Sequence, residues 1–255
     1  MRGNQAQLDA LARELVDQKV DLIFVIGTTS TMAARRATTT IPIVSASMGD
    51  PVSTGLAASL ARPGGNVTGL SNMSGDLDFK RLELIAEAVP RAKRIARLFH
   101  GSSTDIVRRI PLLKAAAAKI KRELVTIEVR DNNLDTAFAN MTSQRVGAVM
   151  VPNDNLIATH TTRILALAEK YKLPTIFGIP AAPYDGGLLV YGPDQNLQYR
   201  RAAEFADRIF KGTMPGDIPI EQPMRFECVV NLKVAKALGI KLPPTIMIRA
   251  TRVIE

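Results

Sequence analysis

The chain has 255 residues, room for one large or two modest domains, and its 46% hydrophobic and 22% charged content is that of a globular protein. Cys228 is the only cysteine, which excludes an intrachain disulfide, and His100 and His160 are too few for a Cys/His metal cluster. The net charge of +9 fits a basic surface; the basic clusters carry no interleaved aromatics and no helix-turn-helix or zinc signature, so nucleic acid is not an expected partner.

Leu8, Leu11, Leu15 and Val16 fall on one helical stripe across residues 5–18. Leu22, Ile23, Phe24, Val25 and Ile26 form a continuous apolar run, as expected of a strand covered on both faces. The run ends at Gly27, and an Ala-rich helix is predicted through Arg36. The unit repeats with a strand at 41–44, a loop at 45–50, a helix from Pro51 to about Leu60, a strand at 67–70 and a helix at 79–88. A second series follows: strands at 95–99, 125–129, 148–151, 175–177 and 188–191, with helices at 111–121, 134–141 and 161–171. Residues 226–230 read as another apolar strand, with Cys228 a buried small hydrophobe within it. Alternating strands and helices predict parallel sheets with helices on both faces, in two lobes that divide near residues 90–93. No apolar run reaches the ~18 residues of a membrane span, and Met1 is followed at once by polar sequence with no signal-peptide core.

In open parallel sheets, ligands sit beyond the carboxyl ends of the strands. Thr28, Thr29 and Ser30 follow Gly27 at the start of a helix, where free backbone N–H groups and a positive dipole end suit a carboxylate or phosphate. Plain capping explains the same residues. Ser47, Met48 and Asp50 occupy the next loop, with Asp50 either a ligand contact or a cap. Ser102, Ser103, Asn153 and Asp154 stand at equivalent places in the second series, where Asp154 suits a ligand ammonium or a cap equally. Asp194 lies where the chain recrosses between lobes, as a turn residue or a ligand contact. There is no GxSxG elbow, P-loop or GxGxxG; His100 has no nucleophile beside it, and His160 reads as structural near a helix start. No catalytic residue, metal or cofactor is therefore expected.

Longer patterns add to this reading. They include Asp50-Pro51-Val52, the stretch Ser59-Leu60-Ala61-Arg62-Pro63-Gly64-Gly65-Asn66-Val67-Thr68-Gly69, and Lys80-Arg81-Leu82-Glu83-Leu84. Further along come Gly186-Gly187-Leu188, Tyr191-Gly192-Pro193, Tyr199-Arg200-Arg201-Ala202-Ala203 and Asn231-Leu232-Lys233. Over essentially the whole chain these resemble the ABC-transporter substrate-binding family typified by tryptophan/tyrosine-type importers. The resemblance implies an α/β type I periplasmic-binding fold: two Rossmann-like lobes, three hinge crossings and a small polar solute, an amino acid or related carboxylate, in the cleft. It also implies a membrane permease as partner and a periplasmic or extracytoplasmic setting.

In that frame lobe 1 is expected at 1–93 plus about 192–218, and lobe 2 at about 94–191 plus 219–255. The loops at 27–30, 47–50, 101–104 and 153–155 match the family's cleft loops, whereas Pro180-Ala181-Ala182 depart from its usual bulkier or charged residues. Against the family pattern the first lobe is expected to lack its first strand-helix-strand, about 60 residues with the leader. The 22–26 strand would then be a sheet edge, which predicts a homodimer or another covering element along it. A regulator's ligand-sensing domain and, more distantly, an enzyme on the same fold are the alternatives.

Overall fold

The computed structural model describes residues 5–101, 104–130, 133–178 and 186–255. In chain order it has α1 (Gln5–Asp17), β1 (Ile23–Val25), α2 (Thr28–Ala37), β2 (Ile43–Met48), β3 (Val67–Ser71) and α3 (Ser74–Ala88). There follow β4 (Arg94–His100), α4 (Thr104–Lys119), β5 (Glu123–Val129), α5 (Leu134–Ser143), β6 (Ala148–Val151), α6 (Asn155–Ala158) and α7 (Thr161–Lys170). The rest comprises β7 (Thr175–Phe177), β8 (Leu189–Pro193), α8 (Gln195–Phe210), β9 (Phe226–Asn231), α9 (Leu232–Ala237), α10 (Pro244–Arg249) and β10 (Arg252–Ile254). The chain divides into two compact units, residues 1–73 with 193–225 and residues 74–192 with 226–255, so it passes between them three times.

Unit 1 is built on the parallel sheet β1-β2-β3. Both faces of β2 are covered. Ile43 and Met48 pack with Ile23, Ala34 and Val67, whereas Val44 and Ala46 pack with Leu70 and with Ala202 and Phe205 of α8. This explains why its sequence shows no polar alternation. Unit 2 carries a seven-stranded sheet in the order β10-β9-β8-β7-β6-β4-β5. Its interior strand β6 alternates cleanly, with Ala148 and Met150 in one core and Val149 and Val151 in the other. The pairs β4–β5, β4–β6, β6–β7, β7–β8 and β9–β10 are parallel.

Three differences from the sequence reading have physical causes. First, β2 continues through Met48 instead of ending at Val44, because Ser45 and Ala46 have no exposed surface between the neighbouring strands and α8. Second, residues 51–60 form successive turns and not a helix. The Asp50 carboxylate accepts from Val52 N and Ser53 N at 3.2 and 3.0 Å, and Gly55 adopts φ 72°, a left-handed value that breaks helical continuation. Third, the chain divides at residue 73 and not near 93. The apolar face of α3 (Leu82, Leu84, Ile85, Ala88) lies in the core that holds Ile95, Leu113 and Met150, which assigns α3 to unit 2.

Unit 2 has a charged group at its centre. Arg81 on α3 is fully buried, and Asp78 and Arg97 are nearly so. The Arg81 guanidinium donates to Asp78 Oδ1 (2.8 Å), Tyr191 O (2.8 Å), Ser74 O (3.2 Å) and Gly178 O (3.4 Å). Arg97 donates to Asp78 Oδ2 through Nε (3.1 Å) and Nη2 (2.6 Å). Burial opposes charge on Asp78, but the Arg97 and Arg81 guanidinium groups outweigh it and hold the carboxyl below its ordinary value. Ser74 and Tyr191 adjoin the first two crossings, and Tyr191 stacks on Phe226, the first residue after the third, with ring centroids 6.0 Å apart. One buried guanidinium thus fixes, directly or through one ring, the unit 2 side of all three crossings.

Replacing Arg81 by Met should therefore lower stability by about 3–5 kcal/mol, because Asp78 and three carbonyls lose a buried donor. Arg163→Met, which removes the exposed pair with Asp135, should leave stability nearly unchanged. Urea unfolding followed by far-ultraviolet circular dichroism measures both.

Candidate ligand-binding loops

The carboxyl ends of β1, β2 and β3 lie on one edge of the unit 1 sheet, because the strands are parallel. Three loops meet there and are joined by hydrogen bonds. Gly49 N donates to Thr28 Oγ1 at 2.7 Å, and the Ser71 hydroxyl donates to Gly49 O at 2.9 Å. Asn72 N donates to Met48 O at 2.6 Å, and Asn72 Nδ2 donates to Ser47 Oγ at 3.1 Å. Beneath them Thr31 Oγ1 lies 2.8 Å from Ser45 Oγ and donates to Gly27 O at 2.8 Å, tying the first turn of α2 to β2.

The helix α2 begins immediately after β1. Its N-cap is Gly27, at φ 90°, a value that favours glycine and offers no side chain to the first-turn amides. Backbone N–H groups and the positive end of the helix dipole are therefore presented at the loop edge, with the half-buried side chains of Thr29 and Ser30 beside them. This arrangement can receive a carboxylate or phosphate oxygen.

The structure separates the remaining candidates into different roles. Thr28 is spent on Gly49, so its hydroxyl holds the loops together. Ser47 and Met48 are 3% and 0% exposed; they belong to β2, and Met48 is a core residue of unit 1. Asp50 organises the turn that follows β2. In unit 2, Asp154 follows β6 and accepts from Ile157 N at 3.1 Å, the capping role. The neighbouring Asn153 has a buried Nδ2 with no hydrogen-bond partner among the described residues. Ser102 and Ser103 lie outside the described residues, as do Pro180, Ala181 and Ala182. Asp194 caps α8, accepting from Leu197 N at 3.0 Å. It stands with Arg201 and Glu221 in a part of unit 1 that includes none of the residues at 27–30 or 47–50. Ser71 and Asn72 were not singled out from sequence; their partners lie more than twenty positions away, so no local pattern reveals them.

Cys228 is 4% exposed, and burial pushes its thiol above the usual value, which leaves it a core residue. His160 sits at the N-cap of α7. Among the described residues no helix is long and apolar enough to cross a membrane.

Two α/β units linked by three chain passes, with an uncapped helix start beside a stitched set of strand-end loops, are the arrangement of a two-lobed solute-binding protein. The family model for ABC transporter substrate binding proteins matches residues 1–254, and the chain belongs to that family. It is 32% identical over 234 residues to a tyrosine-binding protein of Clostridioides difficile (strain R20291), covering 91% of this chain and 67% of that one. A Streptococcus pneumoniae ABC domain solved in complex with L-Trp superposes with a TM-score of 0.90 at 29% identity, over 99% of this chain and 87% of that chain. A conserved domain protein from Vibrio cholerae gives a TM-score of 0.90 at 28% identity, over 98% and 84% of the two chains. Family membership gives the chain a small-molecule ligand and a membrane ABC permease as partners, and a family that works outside the cytoplasm.

The Thr28 hydroxyl is expected to act through the buried Gly49 amide. Thr28→Val should cost about 1–3 kcal/mol, the penalty for an orphaned buried donor, and Thr28→Ser should recover most of it. Thermal denaturation of the two variants beside the parent checks this.

Proposed function

We propose that the solute is an amino acid or a closely related small carboxylate, and that the first turn of α2 holds its carboxylate. The observation that carries this reading is the α2 start itself: a glycine N-cap with no capping side chain, placed where the β1 strand ends, with Thr29 and Ser30 beside it. The tyrosine-binding relative and the L-Trp complex supply the solute class. In unit 2, Asn153 Nδ2, just after β6, is a buried donor with no partner among the described residues. Thr28, Ser47, Met48 and Asp50 support the loops, and Asp154 supports the segment after β6. Capture without covalent change, in the periplasm or its equivalent, completes the reading.

The chain has no tryptophan, so the fluorescence of added L-tryptophan reports its own binding. A saturable change is expected, reversed by L-tyrosine. Thr29→Val should weaken it about tenfold, roughly 1.4 kcal/mol, while shifting unfolding by less than about 0.5 kcal/mol. Absence of a saturable signal from both amino acids would contradict the proposal.

The edge of the unit 1 sheet supports a second reading of partners. β1 is the end strand of its sheet among the described residues, and Phe24 and Ile26 are 45% and 38% exposed. An apolar edge of this kind recruits a further strand. We propose that a second copy of the chain pairs there. Light scattering should give the dimer mass for the parent and the monomer mass for Phe24→Lys; a parent that is monomeric at tens of micromolar excludes it.

A further inference from the structure

The turns that lead into the strands of unit 2 have no role in the account so far. The strands β5, β4, β6 and β7 are successive neighbours and parallel, so the segments that enter them, residues 120–122, 89–93, 144–147 and 171–174, lie along one amino edge of the sheet. Asn153, which follows β6, is at the opposite edge. Hydrogen bonds tie each turn to its neighbour: Glu123 N donates to Lys93 O, Gly147 N to Arg94 O and Val149 N to Pro174 O, each at 2.9 Å. With about 4.8 Å between strands, the row is about 15 Å wide.

The four turns contain six basic residues and no acidic one. Arg122 is internal to the row, its guanidinium donating to Lys121 O at 3.0 Å and Pro90 O at 3.1 Å. Arg91, Lys93, Lys121, Arg145 and Lys172 are exposed and have no ion-pair partner among the described residues. Of the carboxylates next to the turns in the chain, Glu123 is paired with Arg94 and Glu87 with Arg249, which leaves Glu169. Ile120, 36% exposed between Lys119 and Lys121, adds an apolar side chain to the row.

Helix-end chemistry does not account for this concentration. The helix dipole favours a cation only within the last turn, and Lys93 lies well past Ala88, where α3 ends. Lys121, Arg145 and Lys172 adopt φ 58°, 55° and 51°, the left-handed region in which glycine ends a helix with least strain. In unit 1 the turn into β1 balances Lys19, at φ 54°, with Asp21, and the turn into β2 holds three threonines.

We propose that this row is a docking surface for a bilayer that contains anionic phospholipid. Charges within about 10 Å of one another act together at physiological salt, and each basic residue close to such a bilayer strengthens binding about fivefold. The row offers no exposed aromatic ring on which bases could stack; Tyr171 is half-buried, with the Lys170 ammonium 5.3 Å from its ring centre, which favours lipid headgroups over nucleic acid. Docking here keeps the protein at the membrane that holds its permease and leaves the carboxyl edge of unit 2 uncovered. The surface is independent of the amino-acid reading of the α2 loops.

The test uses the full chain, cosedimented with vesicles of about one-third phosphatidylglycerol in phosphatidylcholine at about 0.1 M salt. Binding is expected to these vesicles and not to phosphatidylcholine alone, and it should be lost at about 1 M salt. Lys121→Gly, Arg145→Gly and Lys172→Gly together remove three charges where glycine suits the backbone, so this variant should fold and bind roughly a hundredfold more weakly. Lys19→Gly, Arg62→Gln and Arg200→Gln together remove the same charge from unit 1 and should change binding less than about twofold. Circular dichroism confirms that both variants are folded, and Lys121→Gln with Lys172→Gln replaces the glycine variant if it is not. Equal loss in the two variants would mean that net charge alone is at work and would overturn the proposal. Equal binding to phosphatidylcholine vesicles, or no binding to either kind, would overturn it too. Duplex DNA that removes the protein from the vesicles at a phosphate concentration below that of the phosphatidylglycerol would assign the row to nucleic acid instead. No amino acid is present, so failure of L-tryptophan to bind the α2 loops leaves these outcomes unchanged.

Discussion

Parallel pairing is the constraint on which the rest of this molecule depends. Strands that run in the same direction deliver their carboxyl ends to one edge, and each must be followed by a connection that returns the chain to the other. In unit 1 this brings the segments after β1, β2 and β3 together, although they are separated by twenty or more residues in the chain. The hydrogen bonds Gly49–Thr28, Ser71–Gly49 and Asn72–Ser47 follow from that convergence. So does the exposed start of α2: a helix that must begin directly after a parallel strand presents its first amides at the same edge as the loops.

The buried charge cluster in unit 2 is a different kind of constraint. Two arginines share one aspartate, so the group carries a net positive charge that the carbonyls of Ser74, Tyr191 and Gly178 help to accommodate. Apolar residues of similar volume often serve stability as well as a buried ion pair does. What they cannot do is bind three separated carbonyls from one side chain. Arg81 does so at residues that adjoin the chain passages, which makes position, more than stability, the physical gain. Its counterpart in unit 1 is weaker, the exposed Arg201–Glu221 pair beside residues 222–225.

Much of the fold was legible in the sequence because it depends on pattern. The apolar runs at 22–26 and 148–151 mark strands, and the spacing of Leu8, Leu11 and Leu15 marks α1; the second run is covered on both faces, whereas Phe24 and Ile26 of the first stay exposed because β1 ends its sheet among the described residues. Where local pattern was silent, tertiary packing decided. Ser45, Ala46 and Ser47 are compatible with loop or strand, and only the neighbours of β2 make them strand. The periodicity of α3 says that one face is apolar but not which sheet receives it. At the site, hydroxyl-rich strand ends were readable, whereas the division of labour among them was not. Thr28 and Thr29 are adjacent and alike; one is bonded to Gly49 and the other is half-buried in the first turn of α2, a distinction that depends on a partner 21 positions away. Asp50, Asp154 and Asp194 each allowed a capping or a ligand role; Asp154 and Asp194 make capping bonds, and Asp50 closes the turn after β2. Family patterns such as Tyr199-Arg200-Arg201-Ala202-Ala203 carried the reading where periodicity did not, in the stretch that forms α8.

The central claim is that the α2 start recognises a carboxylate. Displacement of bound L-tryptophan, read from its own fluorescence, by L-tyrosine and by tyramine isolates that group, since the two competitors differ only in the carboxylate. The account expects L-tyrosine to displace L-tryptophan and tyramine to fail at hundredfold higher concentration. Equal displacement by tyramine would contradict it.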